Sequence, residues 1–128
     1  MKLRSDELLA TAWRARESAY VIGPTKVGCS VLSEGGQIYS GCNVEHRYRS
    51  HDVHAEVNTI TNMVAAGERR LLALAVVAER ERFTPCGACL DWIFQFADPE
   101  TCMVFCQALR SGPVTEYLLR DLMPFYPK

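Results

Sequence analysis

The sequence predicts an α/β fold: a three-layer α-β-α sandwich built on one mixed sheet of about five strands. Three observations lead there. Two short strand-like runs joined by a pair of glycines read as a hairpin, which requires antiparallel pairing. Two later runs, "LLALAVVAE" and "CMVFCQAL", are almost continuously apolar, as strands covered by helices on both faces must be. Helical patterns alternate with these strands, so that each crossover carries a layer over the sheet.

At 128 residues the chain has the size of a single domain, 1–128, able to bury one core. Apolar residues make up 48%, charged residues 23% and the net charge is -1, a balance that argues against disorder and against whole-chain attraction for nucleic acid or anionic membrane. No run reaches the roughly 18 uninterrupted apolar residues of a membrane span. The start "MKLRSDELLA" lacks the apolar core of a signal peptide, so a cytoplasmic location is expected. In a reducing compartment the six cysteines point to metal binding or packing rather than to disulfides.

The first element is expected to be a helix from about Arg4 to Tyr20, with Asp6 and Glu7 in its first turn, Leu8, Ala12, Ala15 and Ala19 on one face, and Gly23 and Pro24 beyond its end. "VGCSVLSE" and "QIYSGCNVE" form the hairpin around Gly35 and Gly36. A polar stretch, "HRYRSHD", separates them from a second helix expected from Val53 to about Ala66, with a stripe at Val53, Val57, Ile60 and Val64 and a stop at Gly67. After the strand "LLALAVVAE", the segment "TPCGACLDWIFQFA" reads as a helix capped by Thr84 with Pro85 in its first position and Cys89, Ile93 and Phe96 on one face. "CMVFCQAL" is the next buried strand. The tail "VTEYLLRDLMPFYPK" should hold a short strand, a helical turn and a proline-broken end.

Chemistry concentrates in two places. In "PCGAC", Cys86 and Cys89 stand three apart at a helix start, so both sulfurs face one way, and a helix N-terminus favours the thiolate. On its own this pair suits half of a structural zinc site, a redox couple or a catalytic zinc site. "VHAEVN" adds His54 and Glu56, ionisable groups inside an otherwise apolar run. Residues two apart diverge in mid-helix and converge only near a first turn, where this pair stands. Two facing helix starts would then offer an imidazole, two thiolates and a carboxylate, and three protein ligands leave zinc a position for water.

HxE followed by PCxxC is the signature of the zinc-dependent nucleobase deaminases. Within that superfamily the chain resembles the small cytidine deaminases of free nucleosides, a group that includes the blasticidin S deaminases. The resemblance covers almost the whole length, with "VGCSVL", the glycine hairpin, "YSGCNVE", "HAE", "TPCGAC" and "LMPFY" in the family's order. It implies a cytidine deaminase-like sandwich in which His54, Cys86 and Cys89 hold zinc and water activated there attacks the ring carbon that carries the amine. Glu56 is implied as the proton shuttle, Asn43 and Glu45 as contacts to the sugar hydroxyls, and Ala55 as a further substrate contact. A small-molecule aminopyrimidine substrate and a homo-oligomer, a tetramer, are implied with it.

The departures from the family bear on charge and substrate. Many members have cysteine in place of His54 and arginine in place of Val57. One imidazole and two thiolates already balance a doubly charged zinc, so the arginine is dispensable. Thr25 replaces a phenylalanine that packs on the base, Leu90 replaces an arginine, and "HRYR" puts Arg47 and Arg49 where the family keeps small or aromatic residues. In an extended loop both guanidiniums would point to one side, and two arginine forks there suit an acidic substituent on the substrate. Two other functions share part of the pattern: deamination of a base within nucleic acid, against which the near-neutral charge and "NVE" hairpin count, and a non-catalytic zinc-stabilised binding domain with Glu56 idle and a side chain such as His51 on the metal. Cys29, Cys42, Cys102 and Cys106 read as packed strand residues, and Trp13 and Trp92 as core or interface aromatics.

Overall fold

A computed structural model describes residues 4–81 and 83–126. Helix α1 (Ser5–Arg16) is followed by strands β1 (Val27–Ser33) and β2 (Ile38–Cys42), a 3-10 turn (Arg49–His51) and helix α2 (Ala55–Ala65). Strand β3 (Leu71–Ala78), helix α3 (Gly87–Phe96), strands β4 (Met103–Gln107) and β5 (Val114–Leu118), and a last helical turn, α4 (Leu119–Leu122), complete the order. Pro127 and Lys128, the end of the expected proline-broken tail, lie outside the described residues.

The strands form one sheet in the order β2-β1-β3-β4-β5. Only β3 and β4 pair in parallel; β1 is antiparallel to both β2 and β3, and β5 is antiparallel to β4. Strands β2, β3 and β4 therefore run one way and β1 and β5 the other. The apolar β3 is central and buried over seven of its eight residues, as its composition requires. On one face Leu8, Ala12 and Trp13 of α1 pack against Leu32, Ala73, Ala75, Val77 and Phe105. On the other, Ala55, Ile60 and Met63 of α2 and Leu90 and Ile93 of α3 cover Cys29, Val31, Leu74, Val76, Val104 and Cys106. These are the three layers expected from the alternation of elements.

Three element boundaries differ from expectation, and in the first two tertiary hydrogen bonds draw the backbone out of a helix. Helix α1 ends at Arg16 rather than Tyr20, since the Tyr20 amide donates to Asn43 O and Tyr20 O accepts from the Glu45 amide. Val53 lies outside α2. It exchanges two 2.8 Å backbone hydrogen bonds with Val44 in an antiparallel bridge, so the buried stripe runs through Ala55, Thr59, Ile60 and Met63 instead of Val53, Val57 and Val64. Thr84 and Pro85 precede α3 without capping it: Cys86 is the N-cap in extended conformation, and its carbonyl receives the first helical bond from Leu90.

The hairpin turns where the two glycines place it, and Gly36 takes a positive φ of 88°, a region that side chains disfavour. Glu68, just beyond α2, braces this turn by accepting from Ser33 Oγ (2.7 Å), Tyr39 Oη (2.9 Å) and the Gly35 amide (2.9 Å). The Ser33 hydroxyl, helped by Tyr39 and Gly35, holds the Glu68 carboxyl below its ordinary value of 4.5. A carboxyl depressed in the folded state adds stability above its unfolded pKa and loses it as the pH falls through the folded value. Glu68→Gln is therefore expected to be less stable than the parent at pH 7, with the gap closing on acidification below about pH 4.5. Denaturant midpoints at pH 7 and pH 3 measure this, and an equal gap at both would assign the effect to packing.

Candidate active site

Because β2 and β3 run the same way, α2 and α3, which follow them on one face of the sheet, both start at the same edge. Their N-termini meet there. His54 is the N-cap of α2 and Cys86 the N-cap of α3; Glu56 and Cys89 lie in the first turns of these helices. His54 Nδ1 stands 3.2 Å from Cys89 Sγ and 3.5 Å from Cys86 Sγ, and the three donor atoms lie within 4.8 Å of one another. Ligands held tetrahedrally around zinc at their usual bond lengths are separated by about 3.5 Å, and the two histidine–sulfur separations are close to that.

The chemistry of the donors also calls for a cation. Burial, with Glu56 and Cys86 nearby, pushes the Cys89 thiol far above its ordinary value. A metal ion held there would stabilise the thiolate against that burial. Glu56 is 4% exposed, and burial raises its carboxyl despite its own amide, His54 and the Cys89 thiol, which favour the charged form. Beneath it the sheet presents a row in register, Cys29, Val76 and Cys106 on β1, β3 and β4. Cys106, whose thiol burial pushes up to about 12, lines the cleft as well as packing in the strand.

A cleft of about 820 Å³ opens above these groups. Thr25, Asn43, Glu45, Arg49, Ala55 and Glu56 all line it, together with His54 and Cys86. The Asn43 amide is occupied at both ends, donating to Thr25 O at 3.0 Å and accepting from the Val27 amide at 2.9 Å. Glu45 accepts from the Ile22 and Gly23 amides at 2.7 and 2.8 Å, and those amides, Gly23 foremost, with Arg49 beside it, hold its carboxyl below the usual range.

The extended loop expected to aim Arg47 and Arg49 to one side does not form. The chain turns at residues 49–51, and Arg49 pairs with Glu45 (3.1 Å) and Asp52 (2.9 Å), which leaves its fork engaged. Arg47 is outside the cleft lining, its guanidinium 5.9 Å from the centre of the Tyr48 ring. His51 is exposed and packs edge-on against His46 and Tyr48, apart from the His54, Cys86 and Cys89 cluster. Sequence reasoning missed Asp52, Arg80, Phe83, Leu109 and Tyr117, which also line the cleft. A topological signal existed for part of this wall, since ligands gather beyond the carboxyl ends of parallel strands and both β3 and β4 end here.

A family model described as the cytidine and deoxycytidylate deaminase zinc-binding region matches residues 3–106. A cytidine deaminase of Sporosarcina psychrophila is 37% identical over 121 residues, covering 93% of this chain and 88% of that protein. The solved cytidine deaminase of Burkholderia pseudomallei superposes with a TM-score of 0.85 at 32% identity, covering 94% of this chain and 96% of the other. That of Mycobacterium tuberculosis gives 0.83 at 28% identity over 97% of each chain.

Removing one thiolate should remove the metal. Cys86→Ser is expected to lose most of its zinc by elemental analysis and to melt at a lower temperature, as the parent should with a chelator, because metal binding is coupled to folding. Full zinc content in Cys86→Ser would take Cys86 out of the ligand set.

Proposed function

Because the chain belongs to the cytidine and deoxycytidylate deaminase family, we propose that it hydrolyses a free cytidine-type aminopyrimidine nucleoside, releasing ammonia, with residues 1–128 acting as one deaminase domain. The observation that carries the proposal is the buried Glu56 carboxyl beside the three zinc ligands at the base of the cleft.

His54, Cys86 and Cys89 hold the zinc, whose charge their two thiolates cancel. The ion supplies the Lewis acidity that makes water a competent nucleophile near neutral pH. Glu56 accepts a proton from the attacking water and passes it to the ring nitrogen beside the reacting carbon; it then takes the remaining hydroxyl proton as the carbonyl forms and delivers it to the amine as the carbon–nitrogen bond breaks. Burial suits it to this work, because a raised pKa makes the carboxyl a better proton acceptor than an exposed glutamate. Ala55 and Thr25 border the base, with Thr25 leaving more room there than an aromatic side chain would.

Asn43 and Glu45 contact the sugar hydroxyls, and Arg49 acts through Glu45 by holding its carboxylate in place. With Glu45, Arg49 and Asp52 together the sugar side carries one more negative charge than positive, which favours a neutral nucleoside over a phosphate-bearing one. That reading replaces the acidic substituent that an arginine-rich extended loop would have suited.

We further read the protein as a homo-oligomer, a tetramer, acting in the cytoplasm. Tyr20, Ile22, Val44, Tyr48 and Val53 are exposed on one bridged segment next to the cleft, and Phe125 is 95% exposed, an amount of bare apolar surface that supports a subunit contact. No helix among the described residues is long and apolar enough to cross a membrane.

Glu56→Gln is expected to keep its zinc and its melting temperature while losing about 100- to 10,000-fold in turnover, since the amide cannot carry protons. Ammonia release from cytidine, deoxycytidine, their monophosphates and single-stranded oligonucleotides tests the substrate class: free nucleosides should lead, and preference for the oligonucleotides would overturn the reading. Sedimentation at micromolar concentration should find an assembly larger than the 14.4 kDa chain, and a fully active monomer would refute the oligomer.

A further inference from the structure

We propose that Trp13 and Gln107, on the face of the sheet turned away from the zinc site, are positioning residues that hold loops walling the substrate cleft, the one after β4 above all.

The inference starts from alternation along β4. Cys106 faces the cleft, whereas Phe105 packs with Leu8, Ala12 and Trp13 on the opposite face, and Gln107, two residues on, shares that side. Trp13 Nε1 donates to Gln107 Oε1 at 2.6 Å. An indole can only donate, so the amide's orientation is chemically determined and its nitrogen must point the other way. That nitrogen donates to Gly112 O at 2.8 Å and Arg110 O at 3.2 Å. One side chain thus links a buried tryptophan to the loop after β4, and Ala108, Leu109, Gly112 and Pro113 of that loop line the cleft.

Further contacts converge on the same indole. The Arg110 guanidinium lies 4.4 Å from the Trp13 ring centre, while the Arg110 amide donates to Glu79 Oε1 and the Arg80 amide to Ala108 O, so the loop after β3 is tied in as well. The Arg16 guanidinium lies 5.5 Å from the same centre, and its Nε donates to Lys26 O at 3.0 Å. Lys26 stands between Thr25 and Val27, both in the cleft lining. The end of α1 reaches this far because Gly28 lets it: a Cβ there would meet Ala12 O at 2.0 Å. A tryptophan serving only as core could satisfy its N–H on any nearby carbonyl. Here it uses a side chain whose other end sets a loop.

The kinetic arm of the test rests on the cytidine reading; the exchange arm does not. In zinc-loaded full-length protein, Gln107→Leu and Gln107→Glu both remove the two donations to the loop, and Trp13→Phe removes the donation to Gln107 while keeping a ring in the core. Each lost hydrogen bond contributes modestly, so KM for cytidine should rise about three- to tenfold with kcat and zinc content near the parent values. Amide hydrogen exchange should quicken at residues 109–112 while Val76 and Phe105 in the strands stay protected. If Gln107→Leu does not fold, Gln107→Glu and Trp13→Phe carry the test. Variants that melt earlier but keep the parent's KM and loop protection would reduce both residues to ordinary core and overturn the proposal. Should the parent fail to deaminate cytidine, the functional reading falls, and loop exchange alone decides whether Trp13 and Gln107 brace the cleft.

Discussion

Strands β2, β3 and β4 run in one direction, and the site depends on it. Since α2 follows β2 and α3 follows β3, their shared direction brings both helix N-termini to one edge of the sheet, on one face. Unpaired amides and the positive ends of two helix dipoles then converge on a small volume. His54, Cys86, Cys89 and Glu56 sit in that volume because each occupies a cap or first-turn position, where side chains of neighbouring helices can meet.

Burial works against the two helix dipoles in this volume. Burial acts against charge on Cys89, Glu56 and Cys106 alike, and the acidic groups nearby repel one another. A divalent cation held by His54, Cys86 and Cys89 would change the sign of that arrangement: it would favour the thiolates and leave the buried Glu56 carboxyl available for the proton exchange proposed for it. With His54 as the third ligand the total would stay near zero, and Val57 could be apolar without a neighbouring cation.

The remainder of the cleft is assembled from loops whose ends lie at the same edge: those before β1, after β2, after β3 and after β4. Their conformations are held from elsewhere. Glu45 is fixed by the amides of Ile22 and Gly23, Asn43 by Thr25 and Val27, and the loop after β4 by Gln107 across the sheet. A site made in this way keeps its shape before substrate arrives, which lowers the ordering cost of binding.

The strands, the helices and the four residues at the metal site were legible in the sequence because their signals are local: apolar runs, glycines at a hairpin, and ligand types spaced for a helix start. Boundaries failed where a distant partner captured the backbone, as Val44 captures Val53 and Asn43 captures Tyr20. The arginine loop failed for a related reason. Spacing states where Arg47 and Arg49 fall along the chain, but Asp52 and Glu45 decide that Arg49 folds back into an ion-pair network and leaves Arg47 outside. By itself the sequence determined the layers of the fold, which follow from residue type and short-range periodicity, and it singled out His54, Cys86 and Cys89 as candidate zinc donors through the order of motifs in which the chain resembles the family. Which side chains are free to face a substrate, and that Trp13 reaches the cleft through Gln107 from the far side of the sheet, only the tertiary structure decided, because hydrogen-bond partners 94 residues apart leave no trace in local spacing.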